Sequence, residues 1–138
     1  MLIETFKSLF NRDLLKLKKE IESYSDPSKL WYVEPGISNS AGNLCLHLVG
    51  NLNHFIGATL GSTGYVRNRE LEFSQKNVPV DELINKIDST IVVVDETLNK
   101  LSDGILDELF PVPFADQKVT TMHMLTHLVT HLSYHLGQ

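Results

Sequence analysis

Thr120-Thr121-Met122-His123-Met124-Leu125-Thr126-His127-Leu128-Val129-Thr130-His131-Leu132-Ser133-Tyr134-His135-Leu136-Gly137-Gln138 carries four histidines, each four residues after the last. No Asp, Glu, Lys or Arg occurs from Val119 onward. An α-helix turns about 100° per residue, so a step of four returns a side chain to within about 40° of the same face. A His-x-x-x-His pair on a helix can therefore share one metal ion. The whole tetrad advances about 18 Å along the axis, so one adjacent pair at most serves a given ion. The spacing predicts a helix from about Thr120 to the end.

The other two histidines, His47 and His54, fall in a second stretch of the same character. From Ile37 to Val66 there is no Asp, Glu, Lys or Arg. Leu44, His47, Leu48, Asn51, Leu52, Phe55 and Ile56 form a helical stripe from about Ser40 to Leu60, with Asn39 or Ser40 as its cap. A helix without charge is buried on most sides. His47 and His54 are about 10.5 Å apart along the axis, so one of them, not both, can complete a three-histidine site. Spacing leaves open whether His127 with His131 or His131 with His135 provides the pair. Cys45 points about 200° away from His47 and reads as a small buried hydrophobe.

Two further helices are expected. Ile3, Phe6, Phe10, Leu14, Leu17, Ile21 and Tyr24 set the period of the first, which Asp26-Pro27-Ser28 ends. Ile84, Ile87, Ile91, Val94, Leu98 and Leu101 set the period of the other, about Val80 to Leu101, entered through Pro79. Its Ile91-Val92-Val93-Val94 run has strand propensity, but the helical flanks and the length favour a helix. Trp31 is expected to plug the end of the bundle, and Gly61 to Val78 reads as a polar loop. The expected fold is all-α, an up-down four-helix bundle forming one domain over residues 1–138.

The 138 residues are 42% hydrophobic and 21% charged, with a net charge of -5. Nothing in that balance suits the neutralisation of phosphates, so nucleic acid is not an expected partner. Glu4 and Lys7 interrupt the N-terminus, and no apolar run approaches the ~18 residues of a membrane span. One cysteine forms no internal disulfide, and a cytoplasmic protein is expected.

Carboxylate-rich di-iron sites are excluded by the bare helices, and a His-Glu-x-x-His protease by the lack of its glutamate. No phosphate-binding or dinucleotide fingerprint occurs. Densely packed histidines repel when protonated, and a metal relieves this by requiring the neutral form. A hydrogen-bonded histidine ladder and a pH-sensitive core are the metal-free alternatives.

Asn39 to Asn51, with Leu46-His47-Leu48 at its centre, resembles the second helix of DinB-like proteins. His127 to Gln138 resembles that superfamily's closing His-x-x-x-His-x-Gly-Gln signature, and Arg67-Asn68-Arg69-Glu70-Leu71-Glu72-Phe73 resembles one uncharacterised branch. The resemblance implies a bundle of the DinB/YfiT type, a homodimer, and zinc or nickel on His47, His131 and His135. Asn51, His54 and His127 would then line the pocket or support the ligands. It further implies a transferase or isomerase that uses a low-molecular-weight thiol such as bacillithiol, mycothiol or glutathione against a small electrophile. Arg67 and Arg69 would receive an anionic group of that thiol. The competing implication is a non-catalytic metal-binding or stress-associated interaction protein. Relatives carry the last helix well beyond Gly-Gln, whereas His135 here stands in the last expected turn, where helices fray. That departure predicts either a fragment or a weaker third ligand.

Overall fold

A computed structural model describes residues 2–137. Met1 and Gln138, the last residue of the closing signature, lie outside the described residues. The fold is all-helical. Helix α1 spans Leu2–Glu22. Helix α2 begins at Ala41–Leu52, continues through a π-helical segment at Asn53–Ala58 and ends with Thr59–Gly61. Helices α3, α4 and α5 span Arg69–Ser74, Val80–Asn99 and Thr121–Leu136. Helix α1 packs along α4 and α5, α2 packs along α4, and α3 lies on α2. Among the described residues no helix is long and apolar enough to cross a membrane.

The local chemistry explains these limits. Ser40 caps α2, its hydroxyl accepting from the backbone N–H of Asn43, and Thr120 caps α5 by accepting from that of His123. Ser62 closes α2 in the left-handed region at φ 52°. The uncharged helix α2 is buried on nearly all sides, with every residue from Cys45 to Leu52 inside. The Ile91–Val94 run is helical, as expected from its flanks. Core contacts hold it there rather than intrinsic preference, because Ile87, Val94 and Leu98 are buried.

One expectation changes. The polar loop after Gly61 contains helix α3, capped by Asn68, whose side chain accepts from the N–H of Leu71 at 3.2 Å. Six residues are too few to show a period, and such a short helix is stable only when docked. Asn43 supplies the docking: its Nδ2 donates to the carbonyls of Glu72 at 2.9 Å and Gln75 at 2.8 Å. Trp31 is half-buried and lies against Gly42 in the first turn of α2, where a Cβ would stand 2.7 Å from the indole ring.

The core draws on all four long helices, through Phe10, Leu14, Leu52, Leu83, Ile87 and Leu128 among others. Phe10 is fully buried, whereas Leu15 on the same helix is 47% exposed. Phe10→Ala is expected to lower the unfolding free energy by about 3–5 kcal/mol. Leu15→Ala is expected to stay within about 0.5 kcal/mol. Urea unfolding monitored by circular dichroism measures both, and equal effects would contradict this account of the core.

Candidate metal centre

Helix α2 delivers His47 and helix α5 delivers His131 and His135 to one point. One ring nitrogen from each lies within 4.8 Å of the others. Nε2 of His131 stands 3.3 Å from Nε2 of His47 and 3.1 Å from Nε2 of His135. Tetrahedral zinc with bonds of about 2.0–2.1 Å separates its nitrogen ligands by about 3.3 Å. The donor set and its spacing therefore fit a divalent cation. The pair on α5 is His131 with His135, an alternative that helical spacing had left open.

The remaining histidines have other surroundings. The ring of His127 lies 4.3 Å from that of Phe114 and 5.9 Å from that of His131, centroid to centroid. His54, in the π segment, packs edge-on to Phe55 at 4.7 Å. His123 is exposed. Asn51, one turn after His47, is buried. Cys45 is fully buried, and burial pushes its thiol up to about 12, in keeping with an inert hydrophobe.

A carboxylate stands at the centre that inspection of α2 and α5 could not show. Oε1 of Glu72, from α3, lies 3.1 Å from Nδ1 of His47, and both side chains are almost wholly buried. A carboxylate accepts only, so this contact is a hydrogen bond when Nδ1 of His47 carries the proton, which leaves a lone pair on Nε2; a terminal nitrogen of Arg67 also lies 3.4 Å from Nδ1. Arg67 grips the same carboxylate with two bonds, Nε to Oε2 at 2.8 Å and a terminal nitrogen to Oε1 at 3.0 Å. The guanidinium also lies 6.0 Å from the centre of the Phe55 ring. The two arginines expected to receive an anion thus differ. Arg67 is engaged internally by Glu72, and Arg69 is exposed at the start of α3. Two sequence features hinted at Glu72: the Arg67/Glu72 pair beside a charge-free helix, and Gly50 in the middle of that helix. A glycine there costs about 1 kcal/mol of helix propensity and implies a close approach.

The electrostatics favour neutral imidazoles. Burial first, and then its neighbours His135, His47 and His127, push His131 down to about 4. Burial also lowers His47, against the opposing pull of Glu72. Burial lowers His54 and His127 as well. Neutral imidazole is the form that binds metal. Nδ1 of His131 is buried with no hydrogen-bond partner among the described residues.

A cavity of about 800 Å³ adjoins the cluster, with His135 in its wall. Leu17, Ile21, Leu44 and Leu48 line its apolar side, and Tyr24 and Lys29 contribute polar groups.

Histidines held below their ordinary value bind fewer protons in the folded chain than in the unfolded one. Their contribution to stability is therefore complete above about 6.5 and is lost as pH falls toward about 4, the value of His131. The thermal midpoint of the metal-free protein is expected to drop steadily between those limits. The slope is expected to be shallower in His131→Gln. A midpoint flat over that range in the parent would contradict it.

The chain belongs to a family described as Protein of unknown function (DUF1572), whose family model matches residues 2–138. No curated protein matches it.

Proposed function

We propose that this chain binds one divalent cation, zinc or nickel, on His47, His131 and His135. We further propose that it acts as a metal-dependent thiol S-transferase on small electrophiles. The observation that carries the reading is the convergence of three imidazole nitrogens from two charge-free helices, with separations of 3.3 and 3.1 Å about Nε2 of His131 that match those around a tetrahedral cation. Without a cation, Nε2 of His131 is either one donor or one acceptor and cannot satisfy both neighbouring ring nitrogens at once.

Three protein ligands leave a coordination position for a substrate group, the arrangement of catalytic zinc. A cation held there would lower the pKa of a thiol reaching that position. The rest belongs to the chain's own groups. The buried ring of His47, with Glu72 behind it, excludes water from one side of the site. The cavity beside His135 is large enough for a small electrophile, and its leucines and Ile21 suit an apolar one. In the reaction a sulfur–carbon bond forms, the leaving group departs with its electron pair, and the thiol proton passes to solvent.

The proposed DinB-like membership rests on the closing histidine signature and on His47 meeting it, and the proposed dimer and cytoplasmic location follow that membership. Arg69, exposed on α3, remains the proposed contact for an anionic group on the thiol.

Elemental mass spectrometry of the purified protein is expected to find about one zinc or nickel per chain. The His47→Ala, His131→Ala double variant is expected to lose it. Loaded protein should then consume a low-molecular-weight thiol in the presence of an alkylating electrophile, and the double variant should not. A parent that contains no metal and refuses added zinc and nickel would overturn the site. Bound metal without thiol loss across a broad thiol panel would overturn the transferase and leave a metal-binding protein.

A further inference from the structure

We infer that Glu72 is a positioning residue for the metal centre, holding His47 through its Nδ1–H so that the Nε2 lone pair faces His131 and His135, with Arg67 fixing the carboxylate in place. The inference rests on the metal reading given above and extends it to a group that touches no ion.

Four observations from separate parts of the chain converge on it. First, the Glu72–His47 contact of 3.1 Å joins two side chains that are only 6% and 8% exposed. A buried carboxylate that serves no purpose is costly to retain. Second, Arg67 binds both oxygens, which fixes the plane of the carboxylate as well as its position. Third, α2 reserves space for it: a Cβ on Gly50 would fall on Oε2 of Glu72. Gly50 is one turn from Leu46 and three residues after His47, so the same helix supplies the ligand and the recess for its partner. Fourth, the backbone that carries Glu72 is fastened independently. Asn43 holds the carbonyls of Glu72 and Gln75, and Lys76 Nζ donates to Asn43 Oδ1 at 2.6 Å.

The consequence is a centre with unequal ligands. His47 has its tautomer and ring orientation fixed by a carboxylate, and the carboxylate raises the basicity of the opposite nitrogen. His131 has no partner at Nδ1 among the described residues. His47 is therefore the anchoring ligand, and the short helix α3 is the device that makes it so.

The first test uses the parent protein without metal. Long-range proton–nitrogen NMR of the histidine rings is expected to show His47 protonated at Nδ1. An Nε2–H tautomer would overturn the inference, because Nδ1 would then accept from Arg67 and have no bond to Glu72. The second test is zinc affinity, measured by competition with a chromophoric chelator. Glu72→Gln preserves the size of the side chain and is expected to weaken zinc binding by about 10–100-fold. Gly50→Ala, which leaves every charge in place, should weaken it in the same direction by displacing the carboxylate. In a His47→Ala background, Glu72→Gln should cost nothing more. An equal loss there would show that Glu72 acts only through the fold, and would overturn the positioning role. Zinc uptake by the parent with unchanged affinity in Glu72→Gln overturns this inference alone. No uptake by the parent overturns the metal reading beneath it.

Discussion

Burial of the Glu72 carboxylate is the constraint around which the site is organised. Taking a carboxylate out of water costs on the order of several kcal/mol, and a protein retains one only when its oxygens are well paired. Here Arg67 supplies two donors and His47 a third. The same three bonds have structural effects beyond Glu72 itself. They draw the segment after α2 back across that helix, settle the tautomer of His47, and occupy an arginine whose position in the sequence suggested an external anion. Remove the carboxylate and a buried guanidinium and an unsupported imidazole remain, each in need of a new partner.

The helices cooperate with that arrangement at both ends of the chain. Gly50 gives up helix propensity in α2 to leave room for a side chain from α3. Asn43, fully buried, spends its side chain on the backbone of α3 and on Lys76. Further along, α2 widens into a π segment in which Asn53 donates to the Val49 carbonyl at 2.8 Å and to Thr90 Oγ1 on α4 at 2.9 Å. A π turn changes the direction of the residues that follow it and is frequent at functional sites. It moves His54 off the regular register of His47, so the two histidines of α2 occupy separate environments. On the opposite side, Ser133 Oγ of α5 donates to the buried Asp13 of α1 at 2.6 Å. That contact fastens α5 between its two cluster histidines.

The balance of forces at the three rings follows from this scaffold. Burial disfavours protonation at His131 and His47, and the rings' own proximity adds to it. Glu72 opposes that trend at His47. The result is a cluster in which His131 and His47 are held toward the neutral form, His47 supported from behind, next to a cavity with both apolar and polar walls. Such an arrangement suits a cation that must be held while one side stays accessible.

The sequence by itself determined the helices that are long enough to show a period, and the class of chemistry. Charge-free stretches with histidines at i and i+4 on one, and His47 on the other, set the helical fold and the candidate donors, because hydrophobic period and ligand spacing are local properties. The resemblance of the closing signature selected His131 with His135, which spacing alone did not. Only the tertiary structure decided which side chain stands behind the ligands. Glu72 is twenty-five residues from His47 and lies on a helix too short to announce itself. Its role arises when Asn43 and Gly50, on a different element, dock that helix and leave room for its carboxylate. Pairing across elements depends on packing in three dimensions, and no local period encodes it. The same reason explains Arg67: as a residue in a charged loop it resembled an anion receptor, and only burial beside Glu72 made it an internal partner.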